Sequence, residues 1–147
     1  MGNKILKDAG IEKTPYKALN GKQKENYNFH RVSALLSEYG FSCQQLTNDW
    51  QSADFVAYGA NSNVHYFVQQ KSEFTIDKKY EGKDLMICFP LSENSDKWVF
   101  IPHDEFLSIL KKLDVPYFST PTWQNKGRYY AKSPNKKIIE ALEPYIL

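Results

Sequence analysis

The sequence predicts an α/β protein in which a mixed sheet is flanked by helices. Three observations carry this. Phe29, Val32, Leu36 and Tyr39 recur at i, i+3, i+7 and i+10, one face of a helix spanning about 19–39. Short apolar runs rich in β-branched and aromatic residues follow at 41–47, 53–58, 64–71, 84–90 and 97–102. A second amphipathic stretch, HDEFLSILKKL, fills 103–113. Helix, three strands, a short helix and further strands in that order describe a sheet with helices packed on it.

Each element has its own local signal. Residues 1–18 are mixed and polar, with Thr14-Pro15 as a turn, and form an N-terminal arm; 19–147 read as a single domain. Gly40 is suited to end the first helix. FSCQQLT is the first strand, ADFVAY the second, and GANSN the turn into VHYFVQQK, the third. The linker SEFTIDKKYEGK is expected to hold one short helical turn capped by Gly82. DLMICFP and KWVFIP are further strands. In the helix at 103–113, acids occupy the first turn and lysines the last, as the helix dipole favours. Ser133 and Pro134 are read as N-cap and first residue of a final helix reaching about Tyr145.

Bulk properties narrow the classes. The 147 residues are 41% hydrophobic and 15% aromatic, which speaks against disorder. Nineteen Lys and Arg against seventeen Asp and Glu give a net charge of +2, so global charge does not announce a nucleic-acid binder. Cys43 and Cys88 lie in strand-like segments, and His30, His65 and His103 are scattered, so neither a disulfide nor a zinc site is indicated. The start, MGNKILKDAG, lacks a continuous apolar stretch, and no run approaches about 18 apolar residues, so neither a membrane span nor a signal peptide is expected. Reduced cysteines and these absences together give a cytoplasmic protein as the expectation.

Several polar residues fall where strands and helices want apolar ones. Glu25 stands one turn before Phe29 on the apolar stripe, where a carboxylate is costly unless paired; a solvated place in the first helical turns would explain it equally. Asp54 heads DFVAY, although Asp is disfavoured in strands and often only caps a turn. Phe67, Gln69 and Lys71 share one face of the third strand, so a strand that opens apolar closes on an amide and an ammonium. Asp54 lies one hairpin upstream, on the strand expected to pair with it, within several Å across an antiparallel ladder. Oxygen donors from Asp54, Gln69 and the Gln70 backbone carbonyl, with Glu25 facing them, suit a hard divalent cation, and Lys71 would stand beside it.

This order resembles the PD-(D/E)XK nuclease superfamily, the restriction-endonuclease-like fold. SADFVAY stands where that family has its catalytic Asp, VQQK where it has (D/E)xK, and KENYNFHRVSALLSEYGF where it has an acid-bearing helix. The resemblance covers about 19–89. The succession ADF, VQQK, KKYEGKDL, IPHDE is also similar to a group of bacterial proteins without an assigned activity. Two departures stand out: no proline precedes Asp54, and Gln69 replaces the motif acid, which leaves the site one carboxylate short and should weaken Mg²⁺ binding. The resemblance implies a restriction-endonuclease-like core and an endonuclease dependent on Mg²⁺ or Mn²⁺ that hydrolyses phosphodiester bonds in nucleic acid, DNA first. Asp54, Gln69, Lys71 and Glu25 would be catalytic, with Asp54, Gln69, Glu25 and the Gln70 carbonyl as metal ligands. Many such enzymes cut both strands by pairing, so a homodimer is part of the expectation. The alternative is a non-catalytic nucleic-acid-binding or protein-interaction module on the same fold.

The basic, aromatic C-terminal part, 115–147, supports a polyanionic partner. Between Val115 and Ile139 there is no Asp or Glu, while Lys126, Arg128, Lys132, Lys136 and Lys137 occur with Trp123, Tyr129 and Tyr130 among them. Cations contact phosphates and rings stack on bases; core aromatics with solvated lysines would give the same pattern. Lys78 and Lys79 are flanked by Asp77 and Glu81 and weigh less.

Overall fold

The structure, a computed structural model, describes residues 2–50, 52–60, 63–131 and 134–147, with the side chains of all but 49 and 50. In the N-terminal arm, Asn3 caps a short helix, α1 (Lys4–Asp8), by accepting from the amides of Ile5 and Leu6. This helix buries none of its residues. The long helix, α2 (Gly21–Ser37), starts where Asn20 and Gln23 form a reciprocal capping box. Phe29, Val32 and Leu36 are buried as the stripe requires. Tyr39 is not, because the helix has already ended and Gly40, at φ 83°, turns the chain.

Six strands follow: β1 (Phe41–Trp50), β2 (Ala53–Gly59), β3 (His65–Gln70), β4 (Phe74–Asp77), β5 (Met86–Pro90) and β6 (Trp98–Pro102). Five of them form a mixed sheet in the order β1-β2-β3-β5-β6, antiparallel except for the parallel pair β3 and β5. A parallel pair needs a crossover, and residues 71–85 supply it.

The crossover is where the structure departs most from the sequence reading. The linker holds a strand, β4, as well as the expected turn, a 3-10 segment at Lys78–Tyr80. β4 leaves the main sheet and pairs antiparallel with β7 (Arg128–Ala131). Its partner lies some fifty residues downstream, so nothing local announces it.

At β5 and β6 the main sheet is covered on both faces, which is why MICFP and WVFIP read as continuous apolar runs rather than alternating ones. On one face α2 packs through Phe29, Val32 and Leu36 against Phe55, Ala57, Val68, Cys88 and Trp98. On the other, Ile87, Phe89, Val99 and Ile101 meet α3 (His103–Lys112) through Phe106 and Leu110. The same cluster takes in Phe74 and Ile76 of β4, and Ile138 and Leu142 of α5 (Lys136–Leu142). Each such side chain contributes about 1.5–3 kcal/mol on burial.

The C-terminal part holds two elements that the sequence left unassigned. Thr120 caps α4 (Pro121–Lys126), and Gly127, at φ 68°, leads into β7. A Cβ at Gly127 would lie 3.2 Å from the Lys78 Cβ, and this close approach lets the Gly127 carbonyl accept from Lys78 N at 2.7 Å. The final helix starts after Asn135, whose side chain accepts from Ile138 N at 3.0 Å. Pro134 precedes that helix, and Ser133 lies outside the described residues. Both cysteines are free, and burial pushes the Cys88 thiol well above its ordinary range. No helix among the described residues is long and apolar enough to cross a membrane.

Candidate functional site

The site forms where β3 ends and the chain leaves the main sheet. There β3 still lies beside β5, with Lys71 N donating to the Cys88 carbonyl at 2.9 Å. The carboxyl ends of parallel strands are where diverging connections open a crevice. In the β2–β3 register Phe55 faces Val68 and Val56 faces Phe67; one step further sets Asp54 opposite Gln69. The side chains meet there: Gln69 Nε2 donates to Asp54 Oδ2 at 2.8 Å, and Gln70 N donates to the same oxygen at 2.8 Å. Asp54 therefore holds the end of β3 as well as standing at the head of β2. Gln69 is only 8% exposed, so its amide needs these partners.

Glu25 occupies the same neighbourhood differently from the stripe reading. Its side chain is exposed and ion-paired with Lys22 at 3.3 Å, as expected for a solvated place near the start of α2. The link between helix and motif is made by its main chain, whose carbonyl accepts from Gln70 Nε2 at 3.1 Å.

A cavity of about 470 Å³ joins these groups. Glu25, Asp54, Gln69 and Lys71 all line it. Lys22, Lys79 and Tyr80 line it too; Lys22 and Tyr80 carry no signal in the sequence, and Lys79 is discounted there for its acidic neighbours. Lys71 and Lys79 both lie over the Tyr80 ring, at 5.2 and 5.0 Å from its centre. Burial, then the positive charge of Lys79, push the Lys71 ammonium below its ordinary pKa, while Asp54 and Asp77 act in the opposite sense. Arg128 is near enough to push it down as well. Two lysines competing for one space create a positive potential that an anion would relieve.

Asp77 organises the outer wall. It is buried, accepts from Lys79 N at 3.1 Å and pairs with Arg128 Nε at 3.3 Å. A single carboxylate so fixes both the turn that carries Lys79 and the strand that carries Arg128. The flanking acids that made Lys78-Lys79 look weak in sequence are in part the means of placing Lys79.

The oxygen chemistry suits a hard cation. Asp54 Oδ2 and the Gln70 carbonyl converge on Gln69 Nε2, at 2.8 and 3.4 Å. With that amide turned by half a rotation, Asp54, Gln69 and the Gln70 carbonyl would offer three oxygens, the donor type that Mg²⁺ or Mn²⁺ takes. The residues fit such an ion with one carboxylate in the immediate set. Among the described residues no three His, Cys, Asp or Glu side chains gather as a metal-binding group.

The basic aromatic residues divide. Trp123 is buried in the core with Lys78 Nζ 5.0 Å from its ring centre, and Tyr129 stacks on Tyr117 at 4.2 Å. These rings serve packing and do not stand open to a base. Lys126, Arg128, Lys136 and Lys137 are exposed, Lys136 pairing with Glu140 at 3.9 Å. Lys132 lies outside the described residues. Tyr130 is the ring of this stretch that reaches solvent, at 58% exposure.

In comparisons with known proteins no family model matches the chain, and no curated protein or solved structure matches it. What can be said of function therefore rests on the geometry of these residues.

Proposed function

We propose that the protein is a divalent-metal-dependent nuclease of the PD-(D/E)XK type, hydrolysing phosphodiester bonds with DNA as its first candidate substrate. One observation carries the proposal: Asp54, Gln69, Lys71 and Glu25, chosen from the sequence for this chemistry, line one polar cavity at the end of the parallel strand pair. Mg²⁺ or Mn²⁺ bound by Asp54, Gln69 and the Gln70 carbonyl would supply Lewis-acid polarisation of the phosphate and lower the pKa of water. The chain's own groups do the rest. Asp54, fixed by two N–H donors, is the carboxylate that would hold the ion at a set place relative to β3. Lys71, held over Tyr80, offsets the negative charge that grows on the phosphate in the transition state. Lys79 and Lys22 hold the phosphate in the cavity, and Glu25 orients water at its rim.

A second reading, a nucleic-acid-binding module without catalysis, draws support from one contact. The Gln69 amide donates to Asp54 Oδ2 at 2.8 Å, so the carboxylate is satisfied by a neutral group where an acid would call for a cation. The test is incubation with supercoiled plasmid, single-stranded DNA and RNA in Mg²⁺ or Mn²⁺, beside Asp54→Ala and Lys71→Ala. Cleavage lost in both variants supports the nuclease. Binding without cleavage in EDTA and in metal alike supports the module.

A further inference from the structure

The β4–β7 ribbon has an inner face and an outer one. Phe74, Ile76, Tyr129 and Ala131 turn inward to the core cluster. In the register, Thr75 faces Tyr130 and Asp77 faces Arg128; Thr75 and Asp77 are buried, and Tyr130 and Arg128 are the two of this set that reach solvent. Tyr130 is 58% exposed and the Arg128 side chain 50% exposed, although both belong to a strand whose alternate residues are packed.

Tyr130 and Arg128 are two residues apart on one face of a strand, about 6.7 Å along it. That separation is close to the reach of one extended nucleotide. Asp77 then joins Arg128 to the turn bearing Lys79, and Lys79 shares the Tyr80 ring with Lys71 inside the cavity. A ring, a guanidinium and two ammonium groups thus follow one another from the outer ribbon face to the site. The stretch 115–131 that carries the ribbon's outer strand contains no acid.

We infer that this ribbon face is the approach for a single-stranded nucleic acid, with a base stacked on Tyr130 and successive phosphates on Arg128 and Lys79. The inference rests on the phosphodiester reading of the cavity and names the form of its substrate. A stacking ring needs an unpaired base face, which a duplex keeps inside its own stack, and stacking on a ring tolerates any base. The cations supply the phosphate contacts and the salt dependence.

The experiment measures fluorescence anisotropy of labelled oligo-dT, oligo-U and a hairpin duplex of equal length, in EDTA so that no cleavage is needed. Tyr130→Ala, Tyr130→Phe and Arg128→Gln are compared with wild type, each checked for folding by near-UV circular dichroism. The single strands are expected to bind at least ten-fold tighter than the duplex. Tyr130→Ala should weaken single-strand binding about ten-fold and leave duplex binding unchanged, and Tyr130→Phe should keep the wild-type affinity. Arg128→Gln should lower the salt slope by about one unit. Duplex binding as tight as single-strand binding, or single-strand affinity that Tyr130→Ala does not change, overturns the inference whether or not the protein cleaves. Single-strand binding with this pattern in a protein that never cleaves upholds it and removes only the nuclease.

Discussion

Replacing Gln69 by Glu tests how the cavity handles charge. In the native protein the Gln69 amide donates to Asp54 Oδ2 at 2.8 Å, and Gln69 is 8% exposed. Gln69→Glu removes that donor and sets a second carboxylate against the first. A hydrogen bond to a charged acceptor is worth about 1.5–3 kcal/mol. Two unit charges about 4 Å apart at an effective dielectric of about 20 repel by about 4 kcal/mol, of which protonation of one acid relieves a part. A net cost of about 2–4 kcal/mol in EDTA follows. A divalent ion between the carboxylates turns repulsion into ligation, and binding at 100 times the dissociation constant restores about 2.7 kcal/mol. The assay is urea unfolding of wild type and Gln69→Glu, each in EDTA and in 10 mM Mg²⁺. The variant should be weak in EDTA and largely recovered in Mg²⁺, with wild type much less responsive. A variant as stable as wild type in EDTA, or one that Mg²⁺ does not recover, would show that no such charge repulsion exists in the cavity.

Three further outcomes are expected. Asp54→Asn leaves the amides of Gln69 and Gln70 with a neutral acceptor, so it should cost about 2 kcal/mol in urea unfolding as well as abolishing catalysis. Lys71 has its folded pKa lowered, so the unfolded chain holds the proton more tightly and stability rises with pH through that range. Lys71→Met should therefore raise the melting temperature at pH 7, with the gain shrinking toward pH 10. His103 is buried edge-on against Tyr80 with no hydrogen-bond partner at Nε2 among the described residues, and burial lowers its pKa against the pull of Asp104, Glu81 and Asp77. The unfolded chain then protonates first, so stability falls as pH drops below about 6.5, by at most about 1.4 kcal/mol per pH unit. His103→Phe should flatten that fall between pH 7 and 5 in thermal unfolding.

The parts of the fold that the sequence announced are those governed by local pattern. The stripe of Phe29, Val32 and Leu36 marked α2, and the acid-to-lysine polarity of HDEFLSILKKL marked α3. Continuous apolar runs marked β5 and β6 because both faces of the sheet are covered. β4 escaped because FTID is short and its partner, β7, lies far along the chain. In the site, Asp54 and Gln69 could be paired from sequence because a hairpin imposes their register. Lys79 and Asp77 could not, since their role depends on the crossover folding back over the end of β3. Trp123 and Tyr129 looked like open rings because composition does not tell a core face from a solvent face; the alternation along β7 does, once the strand is known. Asn135, two residues beyond Ser133, has the same capping chemistry, and its side-chain bond to Ile138 N marks the start of the last helix.

On the proposed reading, Asp54 and Gln69 would hold a metal ion used in phosphodiester cleavage. The most direct test is the rate of single-stranded DNA cleavage as a function of Mn²⁺ concentration for wild type, Gln69→Glu and Asp54→Ala. The Gln69→Glu curve should shift to lower metal concentration, because a carboxylate replaces a neutral ligand, and Asp54→Ala should not cleave at any concentration. Superimposable curves for wild type and Gln69→Glu, or cleavage that persists in Asp54→Ala, would contradict it.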